Sequence, residues 1–110
     1  HGIANAMLLP AVLAFSLPAA PARYRALAEA VGLPTAGGSD EAAGHAFAGW
    51  VADLARRLAV PSLTGYGLDP AAVRAVADRM AHDAIASGSP ANNPRIPDHA
   101  EIVALYERAL

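Results

Sequence analysis

The chain opens with His1-Gly2-Ile3-Ala4-Asn5-Ala6-Met7-Leu8-Leu9-Pro10, the start of a long apolar run that determines its architecture. The run continues to Phe15 without a charged residue. A helix that is apolar on nearly every face is buried on all sides, so we predict a core helix from about Gly2 to Ser16. Pro10 cannot donate to the carbonyl of Ala6 and should kink this helix.

The same run has two other interpretations, a secretory signal and a membrane span. Ala20-Pro21-Ala22 imitates a signal cleavage site, but a signal peptide needs positive charge ahead of its apolar core, and none precedes Leu8. Asn5, Pro10 and Pro18 interrupt the run, which leaves it too short for a bilayer. The pattern therefore favours a core helix and no membrane partner.

The composition predicts closely packed helices in one domain. Of the 110 residues, 29 are alanine and only six are aromatic. Alanine has the highest helix propensity and buries little surface, whereas the β-branched residues that favour strands are scarce. A chain of this length forms one domain at most.

The charge pattern excludes several functions. All eight basic residues are arginines, and they are scattered through a chain of net charge −2. Nucleic-acid binding requires a basic face, so we predict no nucleic-acid partner. The absence of cysteine excludes disulfides and thiolate metal sites.

Helix start and stop signals divide the remainder into four more helices, which makes an all-α bundle of five helices. We predict them from about Pro21 to Val31, from the Ser39 cap to about Ala59, from Asp69 to Gly88, and from Asp98 to the C-terminus. Residues 89–97 should be an irregular loop. The residues predicted to face inward are Tyr24, Leu27, Ala28, Val31, Phe47, Val51, Leu54, Leu58, Val73, Val76, Met80, Ala84, Ile102, Leu105, Tyr106 and Ala109.

Three segments resemble the C-terminal helical domain of the iron-containing (group III) alcohol dehydrogenases. The first decamer has the family's pattern of His, Gly, two variable residues, Asn-Ala and Leu-Leu-Pro. Leu58-Ala59-Val60-Pro61-Ser62-Leu63 is similar to its connector between helices. Asn93-Pro94-Arg95 and the ending Tyr106-Glu107-Arg108-Ala109-Leu110 match its C-terminus. Ser16 departs from the family, which usually has Asn there.

The resemblance implies that residues 1–110 are the helical metal-binding domain of a two-domain enzyme, whose nucleotide-binding α/β domain would precede this chain. The family binds its metal, Fe²⁺ or sometimes Zn²⁺, with one Asp and three His, and His1 matches the last of these ligands. The metal polarises the substrate oxygen as a Lewis acid, while hydride passes between a small alcohol or aldehyde and NAD(P). Asn93 and Arg95 would line the substrate cleft.

One imidazole cannot hold a catalytic metal, so we expect this chain alone to be inactive and to bind no cofactor stably. Its first helix should expose an apolar patch to the absent domain and promote self-association. We expect the intact enzyme to be cytoplasmic.

The other candidate residues have simpler interpretations. His45, His82 and His99 show no metal-ligand spacing, and we expect them to be solvated or partly packed. Gly37-Gly38-Ser39-Asp40 imitates a phosphate-binding turn, but no strand precedes it. Phe15 and Trp50 are expected in the core.

Two alternative functions remain open at this stage. The second choice is a stand-alone helical module that binds a partner through its apolar first helix. Maleylacetate reductases share the fold that the resemblance implies, but they carry His where this chain has Asn5, which favours the alcohol dehydrogenase branch.

Overall fold

The computed structural model describes residues 2–110, and within this range it confirms the five helices and contains no strand. The helices are α1 (Gly2–Ser16), α2 (Pro21–Ala30), α3 (Asp40–Arg57), α4 (Pro70–Ala86) and α5 (His99–Ala109). Short 3₁₀ turns cover Leu17–Ala19 and Ser89–Asn92. The second turn corrects the expectation of a wholly irregular loop at 89–97.

The first hydrophobic cluster joins the α2–α3 pair to the end of α1. Tyr24 and Phe47 meet edge to face with ring centroids 6.1 Å apart, and Trp50 stacks on Phe47 at 6.0 Å. Leu13 packs against the cluster from α1, and the Tyr24 hydroxyl donates to the Leu13 carbonyl at 3.0 Å. The buried members of the cluster are Leu17, Ala20, Tyr24, Ala28, Phe47 and Val51.

A second cluster joins the start of α1 to the α4–α5 pair. Met7, Leu63, Val73 and Ala109 form its buried part. Leu63, in the connector before α4, donates its N–H to the carbonyl of Ala109 at 2.9 Å, which anchors the connector on the end of α5. The two clusters lie at opposite ends of α1, so this helix belongs to both.

Arg74 and Glu107 hold α4 and α5 together at the surface. The Arg74 Nε donates to Oε2 of Glu107 at 2.9 Å, and its Nη2 donates to Oε1 at 2.7 Å. This hydrogen bonding holds the pKa of the Glu107 carboxyl below its ordinary value. Both side chains are more than half exposed, so the pair orients the helices more than it stabilises them.

The predicted caps at Ser39 and Asp98 are confirmed, whereas Asp69 stands before α4 without a side-chain cap hydrogen bond. The Ser39 side chain accepts the N–H of Ala42, and Asp98 with Glu101 forms a reciprocal capping box at the start of α5. Gly32 and Gly88 follow the ends of α2 and α4 with φ of 83° and 79°. These left-handed conformations are the ones that glycine adopts without strain.

The predicted core faces were partly wrong. Leu27, Val31, Leu54, Leu58 and Val76 were expected inside and are exposed, Leu58 to 68%. The molecule measures 45 × 30 × 19 Å, and a thickness of 19 Å holds only two layers of helices, each about 10 Å across. One side of each helix therefore has no neighbour, and part of its apolar surface stays uncovered.

The first helix is also less buried than expected, since only Met7, Phe15 and Ser16 are buried along it. By length and composition alone, Gly2–Ala19 would suffice to cross a membrane, a test that core helices and signal sequences also pass. The α-helical part ends at Ser16. Its fifteen residues span about 22 Å, against the roughly 30 Å of a bilayer's hydrocarbon core.

Candidate functional site

The loop after α4 is fastened to the end of α1 by Asn93. Its Nδ2 donates to the Ser16 hydroxyl at 2.8 Å and to the carbonyl of Arg95 at 2.6 Å. Ser16 is buried, and it is the polar residue in the core of the described part. Because a buried hydroxyl without a partner is costly, this bond fixes the loop relative to α1.

Arg95 adds a second attachment between the same elements. Its Nη1 donates to the Phe15 carbonyl at 3.1 Å, and its Nη2 contacts Oε2 of Glu101 at 2.8 Å. The guanidinium carbon lies 4.0 Å from the centroid of the Phe15 ring, a cation–π distance. Arg95 thus satisfies one of the carbonyls at the end of α1 that have no helical partner.

The structure therefore places the two predicted cleft residues together, and both contact α1. Asn93 also lines a cavity of about 320 Å³ between α1, α4 and α5, whereas Arg95 is not part of its wall. Leu8, Val12, Phe15, Ile102, Leu105 and Tyr106 form most of the apolar lining. Contact of Asn93 or Arg95 with a substrate stays a prediction.

A second cavity, of about 630 Å³, continues the first along α1 toward its N-terminal end. Its wall includes Ile3 and Met7 of α1, Leu68 of the connector, and Val73 and Val76 of α4. The two cavities share Leu8 and Tyr106, so they form one surface, which we call the α1–α4 trough. Sequence reasoning missed this trough, because its wall on α1 is more than 50 residues away in sequence from its walls on α4 and α5.

The open shape of the trough follows from how the helices are arranged. Both α1 and α4 pack on α5, while no Cα atom of α1 comes within 8 Å of one in α4. Helices in direct contact lie 8–10 Å apart from axis to axis. The gap between α1 and α4 is therefore the trough, with Tyr106 of α5 in its wall.

His1, the predicted metal ligand, lies outside the described residues. Among residues 2–110, no three His, Cys, Asp or Glu side chains come together as metal ligands. His82 contacts Asp83 at 3.4 Å and His99 contacts Asp78 at 2.6 Å, which pairs each ring with one carboxylate. The donors in the described part do not fit a catalytic metal.

His99 is partly packed, within the expectation of a solvated or partly packed residue, and its side chain is 41% exposed. Its Nε2 reaches from α5 to the carboxylate of Asp78 on α4. The two residues are 21 positions apart, so no local pattern predicts the contact.

The glycine-rich turn at 37–40 is bound to its own chain. Arg25 donates to the Gly38 carbonyl and pairs with Asp40 at 2.5 Å. The Ser39 hydroxyl is used by the N–H of Ala42. This arrangement supports the interpretation of the turn as the start of α3.

Comparison with known proteins identifies the class to which this helical unit belongs. The model of the Fe-containing alcohol dehydrogenase family, C-terminal region, matches residues 1–110. The chain therefore belongs to this family, whose characterised relatives here are oxidoreductases.

Particular relatives agree with this family. Lactaldehyde reductase of Escherichia coli K12 is 33% identical over 110 residues, and the same protein of strain O157:H7 gives the same identity. A crystal structure of 1,3-propanediol oxidoreductase superposes with a TM-score of 0.90 at 30% identity and covers 100% of this chain. The chain spans only 28% of the length of each of these proteins.

Proposed function

We propose that this chain is the C-terminal helical part of an NAD(P)-linked, metal-dependent enzyme that interconverts a small alcohol and its aldehyde. The family match over residues 1–110 carries the proposal. The two named relatives act on lactaldehyde and 1,3-propanediol, both three-carbon compounds with oxygen substituents. The substrate we propose is therefore a short hydroxyaldehyde or diol.

Within the intact enzyme, we assign two roles to this chain. His1 supplies one metal ligand, and the Asn93–Arg95 loop forms part of the cleft wall. The other ligands and the nucleotide site belong to the remainder of the polypeptide, since the described residues hold neither a metal cluster nor a free glycine-rich turn. We therefore expect the 110-residue chain to be inactive by itself, and the intact enzyme to be cytoplasmic.

The experiment compares the intact enzyme with the 110-residue chain. Each is supplied with Fe²⁺ or Zn²⁺, NADH or NADPH, and lactaldehyde, and oxidation of the nucleotide is followed by absorbance. We expect turnover by the intact enzyme only. Turnover by the 110-residue chain would contradict the assignment of the other metal ligands and the nucleotide site to the rest of the polypeptide. An intact protein that is inactive and binds no metal would contradict the proposed function.

His1 is tested by metal content. In the intact enzyme, we expect His1→Ala to reduce bound metal at least about tenfold, because each ligand is needed to complete the metal's coordination. His82→Ala is the matched control, since that ring is an exposed histidine on α4. Equal metal content in the two variants would show that His1 is not a metal ligand.

One observation favours the second candidate, a helical interaction module. The exposed apolar side chains along the trough are the kind of surface that binds a partner. This alternative predicts no bound metal in the intact protein and no effect of His1→Ala on any complex.

A further inference from the structure

We infer that a third cavity, on the side of α1 away from the trough, binds a short-chain carboxylate through two arginines. The cavity has a volume of about 320 Å³ and lies between α1, α3, α5 and the connector before α4. Ala6 and Pro10 line it, whereas Leu8 and Val12 line the trough. Residues two positions apart on a helix of about 3.6 residues per turn point about 160° away from each other. The two surfaces therefore lie on opposite sides of α1.

The apolar wall of this cavity comes from the second hydrophobic cluster and from two prolines. Met7 and Ala109 are buried members of that cluster, and Val60 packs against it. Pro10 and Pro61 lie beside them in the same wall. These side chains offer contact area to an aliphatic chain but no hydrogen bond. The volume is at the small end of the range for ligand cavities, about 300–1,000 Å³, so the ligand that fits is small.

The polar wall consists of hydrogen-bond donors. Arg56 of α3, Arg108 of α5 and Ser62 of the connector line the cavity, which we call the arginine cavity. Guanidinium groups bind carboxylates through paired N–H donors. The Ser62 oxygen accepts the N–H of Gly65 at 3.0 Å, which leaves its own O–H to donate. Among the described residues, no Asp or Glu belongs to the wall.

The charge around the arginine cavity suits an anion with a single charge. Asp53 pairs with both Arg56 and Arg57 along α3, so the charge of Arg56 is partly offset. Glu107, the acidic neighbour of Arg108 in sequence, is bound to Arg74 instead. In the part of the chain that the structure describes, the guanidinium of Arg108 therefore keeps its charge uncompensated. One such cation matches a carboxylate better than a phosphate with two charges.

Two methionines make binding to the arginine cavity measurable. Met7 lies in its wall and also in the trough, whereas Met80 lines only the trough. The intact enzyme is labelled with ¹³C at its methionine methyl groups, and the two NMR signals are assigned with Met7→Leu and Met80→Leu. Hexanoate is the probe. Hexanol supplies the aliphatic chain without the charge, and inorganic phosphate supplies charge without the chain.

We expect hexanoate to shift the Met7 signal in a saturable way while the Met80 signal stays in place. Its affinity should fall at least about fivefold in Arg56→Gln and in Arg108→Gln, because each loses a charged donor. The unchanged Met80 signal then confirms that the variant is folded. Arg79→Gln is the matched control and should keep the affinity, since Arg79 is an exposed arginine of α4 outside the cavity. Hexanol and phosphate should each bind at least about fivefold more weakly than hexanoate.

Four results would overturn the inference. A Met7 signal that does not respond to hexanoate shows that the cavity binds no carboxylate. Equal binding of hexanol shows an apolar cavity without anion recognition, and equal binding of phosphate shows that the aliphatic chain adds nothing. A Met80 signal that moves together with that of Met7 places the ligand in the trough.

The arginine cavity requires neither the metal nor the nucleotide, so its test is separable from that of the proposed function. A carboxylate response in an intact protein without dehydrogenase activity would support the cavity and refute the enzyme. Dehydrogenase activity without the response would do the reverse.

Discussion

The guanidinium of Arg95 lies 4.0 Å from the centre of the Phe15 ring while its Nη1 donates to the carbonyl of the same residue. One side chain therefore holds both the ring and the backbone carbonyl of Phe15, in the last turn of α1. Together with the bond from Asn93 to Ser16, this contact connects the end of α1 to the loop before α5.

Substitution of Arg95 tests this attachment. We expect Arg95→Ala to lower the free energy of unfolding by about 1–2 kcal/mol, which is less than the summed contacts suggest because solvent screens a side chain that is 41% exposed. Arg95→Lys should recover only part of the loss, since lysine lacks the planar fork. Urea unfolding measures both changes. Arg23→Ala, at an exposed position of α2, is the control, and an equal loss there would argue against the attachment.

Gly44 and Gly49 make a matched pair within α3. A Cβ at Gly44 would lie 2.1 Å from Cδ1 of the buried Leu17 and 3.2 Å from Cβ of Tyr24, whereas nothing lies within 4 Å at Gly49. We expect Gly44→Ala to destabilise the protein by about 1–3 kcal/mol. Gly49→Ala should stabilise it by about 0.5–1 kcal/mol through helix propensity. Thermal unfolding distinguishes them, and two shifts of the same sign would contradict the packing.

Ala59 has φ of 57° at the second position after the end of α3, the place that Gly32 takes after α2. In both places, two N–H groups bond back into the helix. Because left-handed backbone costs a non-glycine residue about 1–2 kcal/mol, we expect Ala59→Gly to stabilise the protein by about 0.5–1 kcal/mol. Gly32→Ala should cost about 1 kcal/mol. Urea titrations of the two variants check these opposite signs, and a destabilising Ala59→Gly would refute the argument.

Tyr24 makes the stability depend on alkaline pH. Burial raises the pKa of its hydroxyl above the ordinary 10.0, and the Ser16 hydroxyl opposes this shift only in part. The unfolded chain therefore loses this proton at lower pH than the folded chain does, so stability is fully present below about pH 10 and falls as pH rises through the folded pKa.

We expect Tyr24→Phe to reduce this alkaline loss of stability. At neutral pH it should cost about 1 kcal/mol, because the carbonyl of Leu13 loses its bond from the hydroxyl. Unfolding by urea at pH 8 and at pH 10.5 supplies the comparison, with Tyr66→Phe at an exposed site as control. An unchanged alkaline slope in Tyr24→Phe would show that another group is responsible.

The local parts of the fold were predictable from sequence because their causes are local. Ser39, Asp98, Gly32 and Gly88 act within four residues of themselves, and the helices begin and end near them as predicted. Helix α3 ends at Arg57, two residues before the predicted end at Ala59. The reason is that Ala59 adopts a left-handed conformation, which an alanine in the sequence does not indicate.

The non-local parts were not predictable from one sequence. The helical period places Leu54 and Leu58 on the apolar stripe of α3 and Val76 on that of α4. It does not indicate that no other helix covers these residues. Asn93 and Ser16 are 77 residues apart, and nothing near either residue indicates the bond. The metal role of His1, outside the described residues, stays a prediction.

The membership of α1 in both hydrophobic clusters has a consequence for cooperativity. Within residues 2–110, α1 is the helix that packs on both pairs, contacting α3 on one side and α5 on the other. Each pair spans about 40 residues or fewer, a length below which domains seldom stand without staples. We therefore expect the α2–α3 pair and the α4–α5 pair to unfold together with α1, in one cooperative transition.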